Sequence, residues 1–158
     1  MKTSNLGKLI VAIVVCELAG VIGSVFTISA IPNWYALLNK PNLAPPNYVF
    51  GPVWVTLFFL MGITLFLVWK KGYERKDVKI AFGTFGIQLA LNVIWSIIFF
   101  GTHSPGIALI AIFFLWLTIL ETIISFYKIS KSAAYLLLPY IGWVTFAAYL
   151  NFMIWKLN

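Results

Sequence analysis

The chain has 158 residues, of which 62% are hydrophobic and only 9% are charged. This composition excludes a soluble globular domain, because such domains carry about 25% charged residues. The net charge of +7 would suggest a nucleic-acid partner in a soluble protein, but its distribution here indicates a membrane protein and no nucleic acid.

Five apolar stretches are long enough to cross a bilayer, which takes about 20 residues in a helix. Little chain remains outside them. The sequence therefore predicts an all-α integral membrane protein, a single membrane domain over residues 1–158 built as a five-transmembrane-helix bundle. The five predicted helices span residues 9–31, 50–69, 80–101, 106–127 and 133–155.

Small residues recur on two of the predicted helices and favour close helix contact. On the first helix they are four positions apart, at Ala12, Cys16, Gly20 and Ser24, and helix packing is the favoured interpretation. On the third helix they are Gly83, Gly86 and Ala90, which suit either packing within the protomer or a homodimer face. In the fifth helix, Pro139 predicts a kink.

Two acids lie within the predicted spans, Glu17 and Glu121. They could face each other in the protonated form, or pair with Lys8 or Lys128, whose long side chains can reach toward the interface. A proton relay is one interpretation of buried acids. An interfacial or neutralised carboxyl is favoured, because the sequence places no cation deep beside either residue.

The loop between the first two helices, residues 32–49, is unusually stiff. Five of the seven prolines lie between positions 32 and 52, and Trp34 and Trp54 flank most of the loop. Proline fixes φ and pushes the preceding residue into extended geometry. A plain connector needs neither stiffness nor aromatic side chains, so we expect a capping first loop that closes over the bundle as a lid.

Basic residues are distributed unequally between the two ends of the predicted helices. One end has nine, against Lys40 and Lys156 at the other. This bias predicts a cytoplasmic N-terminus, an external C-terminus and lysines that touch membrane lipid headgroups. We expect the membrane to be that of a prokaryotic cell. The nine are Lys2, Lys8, Lys70, Lys71, Arg75, Lys76, Lys79, Lys128 and Lys131.

Aromatic and amide side chains gather in the half of the bundle beneath this loop. Trp54 lies one turn into the second helix. Four residues of the third helix follow the spacing of i, i+3, i+4 and i+7 and so share a face, and residues of the fifth helix share another. Tryptophan and tyrosine also collect at bilayer interfaces. Because these residues share faces with amides, we favour a hydrophobic, aromatic-walled pocket for a flat ligand. The faces are Asn92, Trp95, Ser96 and Phe99 on the third helix, and Tyr140, Trp143, Ala147, Leu150 and Asn151 on the fifth.

These residues resemble the translocator protein family, also called tryptophan-rich sensory proteins or peripheral-type benzodiazepine receptors. The matching segments follow the family order over nearly the whole chain. They are Trp34-Tyr35 with Lys40-Pro41 and Pro45-Pro46, then Gly51-Pro52-Val53-Trp54, Leu91-Asn92 with Trp95-Ser96 and Phe99-Phe100-Gly101, Leu138-Pro139-Tyr140 with Trp143 and Phe146-Ala147, and Leu150-Asn151.

The resemblance implies a five-helix bundle whose first loop caps a ligand pocket. Family ligands include porphyrins such as protoporphyrin IX and haem, sterols, and synthetic isoquinoline carboxamides and benzodiazepines, and members are commonly dimeric. No obligatory cofactor or metal is implied. By matching motif, the ligand-binding residues would be Trp34, Trp54, Asn92, Trp95, Trp143, Ala147 and Leu150.

Several functions remain open under this resemblance. Binding of a tetrapyrrole comes first, with Lys40 and His103 as the groups at that face for its propionates, and His103 as a candidate axial ligand to haem. Some bacterial relatives are reported to degrade porphyrin in light, which would give Trp54 and Trp143 a photo-oxidative role.

A sterol or lipid translocator is a third interpretation. It is weakened because Phe152 and Met153 stand where a sterol-linked motif needs tyrosine. A transporter lacks the expected internal repeats.

Overall fold

The computed structural model describes residues 4–158, and that part of the chain is helical without strands. Within it, five helical segments are long and apolar enough to span a membrane, which confirms the predicted five-helix bundle. The fifth segment comprises two helices. The elements are α1 (Asn5–Asn33), α2 (Phe50–Trp69), α3 (Lys76–Ser96), α4 (Pro105–Ile129), α5 (Lys131–Leu136) and α6 (Leu138–Leu157).

Local chemistry accounts for several helix boundaries. Ser4 caps α1 by accepting a hydrogen bond from the Gly7 backbone N–H at 3.1 Å, so this helix begins four residues earlier than predicted. The fifth span is interrupted at Leu137, and Pro139 lies in the first turn of α6, where its missing N–H costs nothing. This interruption occurs at the predicted kink.

The end of α3 widens into a π-helical turn over Ile97–Gly101. Its closing hydrogen bond runs from the Thr102 backbone N–H to the Ile97 carbonyl at 2.9 Å. Both Phe99 and Phe100 are buried on this turn. Such turns are rare and often mark functional regions.

The helices form a ring around a common core. Helix α1 packs on α2 and α3, α4 packs on α3 and α6, and α5 packs on α2. The order around the ring is therefore α1, α2, α5 with α6, α4 and α3. One end of the bundle, the basic end, carries the α2–α3 connection, and the other, the loop end, carries the segment from Trp34 to Val49.

The two stripes of small residues have different surroundings. Ala12 and Cys16 are fully buried, as packing predicts. A Cβ on Gly20 would lie 2.6 Å from the Phe58 ring, so this glycine also permits close contact. On α3, the backbones of Gly83 and Gly86 have no atom of residues 4–158 within 4 Å of where a Cβ would stand. Of the two interpretations of this second stripe, packing within the protomer therefore does not hold at Gly83 and Gly86.

The two membrane acids form no ion pair within residues 4–158, neither with Lys8 nor with Lys128, which was the less favoured interpretation. Within residues 4–158 the salt bridges are Arg75–Asp77 and Lys79–Glu74, at the basic end. Glu17 is half-buried on α1, and Glu121 is exposed on α4. Because α1 packs on α2 and α3 while α4 lies across the ring, the two acids do not face each other.

Candidate ligand-binding site

The lid loop is folded against the bundle through a buried tyrosine. Tyr35 begins a short 3₁₀ turn and is 2% exposed. Its ring centroid lies 5.9 Å from that of Phe50 at the start of α2 and 5.9 Å from that of Phe100 on the π turn. Burial raises the pKa of Tyr35 to about 12, so its hydroxyl stays neutral at physiological pH. The loop thus inserts an aromatic plug between α2 and α3.

Lys40 holds the turn that carries this plug. Its Nζ donates to the backbone carbonyls of Tyr35 at 2.9 Å, Ala36 at 3.2 Å and Leu38 at 3.0 Å, and it lies 5.0 Å from the Tyr35 ring centroid. An ammonium has three donors, and all three are used. Lys40 is therefore a structural residue of the loop, and the expectation that it is available for ligand carboxylates is wrong.

A second connection ties the loop to the end of α6. The Asn39 backbone N–H donates to Asn158 Oδ1 at 3.0 Å, and Asn158 Nδ2 donates back to the Asn39 carbonyl at 3.0 Å. This reciprocal pair joins positions 119 residues apart. It fixes the middle of the lid loop over α6.

Trp34 joins the loop to the α3–α4 turn. Its ring stacks on His103 with centroids 4.5 Å apart and an interplanar angle of 16°, and it meets Phe99 edge-on at 5.6 Å. His103 has a φ of +53°, a left-handed conformation that is uncommon outside glycine. One face of the imidazole is covered by the indole. Trp34 acts here as an anchor of the loop, and it lines neither of the cavities described below.

The first of two cavities beneath the lid loop, cavity A, has a volume of about 80 Å³ and lies between α1, α2 and α3. Small residues of α1 form one wall and aromatic side chains form the others. Ser96 Oγ and the Asn92 side chain supply polar groups on the α3 side. Its lining is Gly20, Gly23, Ser24, Thr27, Ile31, Phe50, Gly51, Trp54, Phe58, Asn92, Trp95, Ser96 and Phe100.

A smaller cavity, cavity B, of about 20 Å³ lies directly beneath Tyr35, between α2, α3 and α6. It shares Phe50, Trp95 and Phe100 with cavity A. These three side chains form a common wall, so the two cavities are adjacent and are separated by aromatic rings. The remaining lining of cavity B is Phe99, Ala147, Leu150, Asn151 and Ile154.

Hydrogen bonds hold one member of this wall. Trp95 Nε1 donates to Asn151 Oδ1 at 3.0 Å, and Asn151 Nδ2 donates to the Pro105 carbonyl at 2.7 Å. The Trp95 N–H is thus unavailable to a ligand, and Trp95 presents only its ring. Phe50, the first residue of α2, has no polar group to fix it and is more exposed than Trp95 and Phe100.

A second polar network lies deeper, toward the basic end. Asn92 Nδ2 donates to the Tyr140 hydroxyl at 2.9 Å, and that hydroxyl donates to Gln88 Oε1 at 2.7 Å. Gln88 is fully buried. Sequence reasoning missed it, although Gln88 precedes Asn92 by four residues and so shares its helical face.

The structure brings most of the predicted ligand-binding residues to these cavities. Trp54, Asn92 and Trp95 line cavity A, while Trp95, Ala147 and Leu150 line cavity B. Trp143 lines neither, but its ring packs on Phe50 with centroids 6.2 Å apart, directly behind the common wall.

The contribution of α1 was missed. Gly20 and Ser24 were assigned to packing, yet both also line cavity A, together with Gly23, Thr27 and Ile31. The spacing of small residues did mark the correct helix face. It does not distinguish a face that is filled by a neighbour from one that leaves a space.

Comparisons with known proteins agree with this architecture. The sequence model of the TspO/MBR family matches residues 12–156. The chain is similar to Tryptophan-rich protein TspO of Archaeoglobus fulgidus, with 44% identity over 98% of this chain and 99% of that protein. It is 43% identical to Tryptophan-rich protein TspO of Chlorobaculum tepidum, over 90% of each chain. It is 40% identical to the human Translocator protein, over 87% of this chain and 82% of that protein. The chain therefore belongs to the TspO/MBR family, whose multi-pass membrane bundle it shares.

Proposed function

We propose that this protein binds flat hydrophobic ligands, tetrapyrroles such as protoporphyrin IX and haem foremost, in the joined space of cavities A and B. The observation that carries the proposal is the common wall of Phe50, Trp95 and Phe100, which lies beneath a lid loop held against the bundle. Aromatic rings stack on extended π systems with about 0.5–1.5 kcal/mol beyond simple burial. Asn92 and Ser96 add polar groups for orientation.

Ligand binding must enlarge this space. Volumes of about 80 and 20 Å³ are far below the roughly 300–1,000 Å³ of typical ligand sites. Trp95 is held by Asn151, so Phe50 is the side chain expected to swing aside and join the two cavities. Because Phe50 also packs on Tyr35, its movement would disturb the packing of the lid loop. Tetrapyrrole binding is therefore an induced-fit process in this proposal.

Orientation and assembly complete the proposal. The basic end would face the cytoplasm of a prokaryotic cell, because cytoplasmic loops carry the excess of lysine and arginine. The exposed strip of Gly83, Gly86 and Ala90 on α3 would be the homodimer face, since small residues let helix backbones approach closely in lipid.

The ligand assignment is tested by titrating the detergent-purified protein with protoporphyrin IX in the dark, following the Soret band and tryptophan quenching. We expect saturable micromolar binding. Trp54→Phe and Asn92→Ala should each weaken it about fivefold, which corresponds to roughly 1 kcal/mol. Trp143→Phe should weaken it less, because this ring supports Phe50 from behind.

Trp116→Phe is the matched control, because Trp116 lies on α4 outside both cavities and bonds Thr145 through Nε1 at 2.8 Å. It should bind like the wild type. Linear uptake that is equal in all variants would mean that porphyrin only dissolves in the micelle, and the tetrapyrrole assignment would be abandoned. A parallel illuminated titration separates binding from photo-oxidative degradation, which would show as Soret bleaching that Trp54→Phe slows.

A further inference from the structure

The hydrogen-bond chain from Gln88 through Tyr140 to Asn92 has a direction. A tyrosine hydroxyl carries one hydrogen, and here it is donated to Gln88 Oε1 at 2.7 Å. The same oxygen must then act as acceptor toward Asn92, and Asn92 Nδ2 donates to it at 2.9 Å. Because Gln88 Oε1 accepts the hydroxyl hydrogen of Tyr140, Asn92 must turn its Nδ2 toward Tyr140 and its Oδ1 away from it.

This direction leaves the Asn92 carbonyl oxygen for cavity A. Asn92 lines that cavity, and no donor within residues 4–158 reaches its Oδ1. Within residues 4–158, the fully enclosed side-chain atoms without a hydrogen-bond partner are Gln88 Nε2 and Trp143 Nε1. Asn92 Oδ1 has no partner either, but it is not one of these enclosed atoms. It is thus an accessible acceptor in an apolar, aromatic surrounding, where an unmet hydrogen bond is costly.

We infer that Gln88 and Tyr140 are specificity-determining positioning residues that make cavity A select flat apolar ligands with an N–H donor at their edge. The inference rests on the proposed function, since it concerns the same site. A lactam or pyrrole N–H at a ligand edge can donate to Asn92 Oδ1, whereas a closed macrocycle directs its N–H groups into its own ring and contacts Asn92 through packing alone. Gln88 does not contact the ligand. It sets the direction of the Tyr140 hydroxyl, and that hydroxyl sets the orientation of the Asn92 amide.

The probe is a dipyrrinone, a yellow two-ring lactam, compared with its lactam N-methyl derivative by absorbance titration of the detergent-purified protein. In the wild type the N–H compound should bind about tenfold more tightly, since one hydrogen bond is worth up to about that factor. Tyr140→Phe removes the hydroxyl with little change of shape, so Asn92 can rotate and the ratio should fall below about threefold.

Gln88→Met gives a sharper test, because it removes the acceptor and keeps the tyrosine. The Tyr140 hydroxyl is then free to donate to Asn92 Oδ1, which turns Nδ2 toward the cavity. The preference for the N–H compound should disappear. Thr122→Val, a buried α4 change at a residue that bonds its own helix, should leave the tenfold ratio intact. The buried Cys16 thiol, labelled during heating, verifies that each variant is folded.

The outcomes separate the inference from the proposed function. If neither compound bound any variant saturably, the proposed ligand site itself would be wrong. Saturable binding with an unchanged ratio in folded Tyr140→Phe and Gln88→Met would overturn only the inference. A wild type that prefers the N-methyl compound would also overturn it, because the amide would then present Nδ2 to the cavity.

Discussion

Replacing Gly62 with alanine is expected to separate α1 from α2 and to lower the unfolding temperature by about 5 °C. A Cβ at this position would lie 2.5 Å from Ile13 Cα and 3.0 Å from Ile13 N. These are backbone atoms of the facing helix, so no rotamer change relieves the clash and α1 itself must shift. Alanine gains up to about 1 kcal/mol in helix propensity, but overpacking costs about 1–3 kcal/mol, and the clash prevails.

The chain provides its own reporter for this experiment. Cys16 is its only cysteine and is fully buried on α1, so a thiol-reactive fluorophore labels it only when the bundle opens. Gly142→Ala is the matched control, because Gly142 lies within α6 with no atom of the described chain within 4 Å of a Cβ. The control should be neutral or slightly stabilising. Equal unfolding temperatures for the two variants would contradict the tight α1–α2 contact.

The fold was predictable because its main determinants are local. Length and hydropathy define spans, and Pro139 marks the break that the structure has at Leu137. The aromatic half of the site was also predictable, since Asn92 and Trp95 lie one helical turn apart on α3 and face the same way. The relation to the family then fixed which helices meet beneath the loop.

What could not be predicted depends on packing between distant segments. Sequence spacing places Gly20 on a face of α1, but only the position of Phe58 decides that this face is partly filled. Likewise, the role of Lys40 follows from the path of the loop, which brings three carbonyls around one ammonium. The link between Asn39 and Asn158 joins residues 119 positions apart in the chain and has no local signature.

Lys40→Met should loosen the lid loop while leaving the bundle intact. Methionine preserves much of the apolar stem but leaves the carbonyls of Tyr35, Ala36 and Leu38 without their shared donor. Hydrogen bonds to a charged group contribute about 1.5–3 kcal/mol, and partial exposure of Lys40 favours the lower value. We therefore expect about tenfold faster hydrogen exchange in the loop, since 1.4 kcal/mol corresponds to a factor of ten.

Three backbone amides report this opening directly. The amides of Leu37 and Leu38 donate within the loop, to Trp34 at 3.1 Å and Tyr35 at 3.3 Å, and that of Asn39 donates to Asn158. Lys156→Met removes the same charge from an exposed site at the same end of the bundle and should leave their exchange unchanged. If both variants accelerated exchange equally, charge at the loop end would be responsible. If only Lys40→Met does so, the hydrogen bonds of the lysine hold the loop closed, and the faster opening should also speed release of the porphyrin that we propose binds beneath Tyr35.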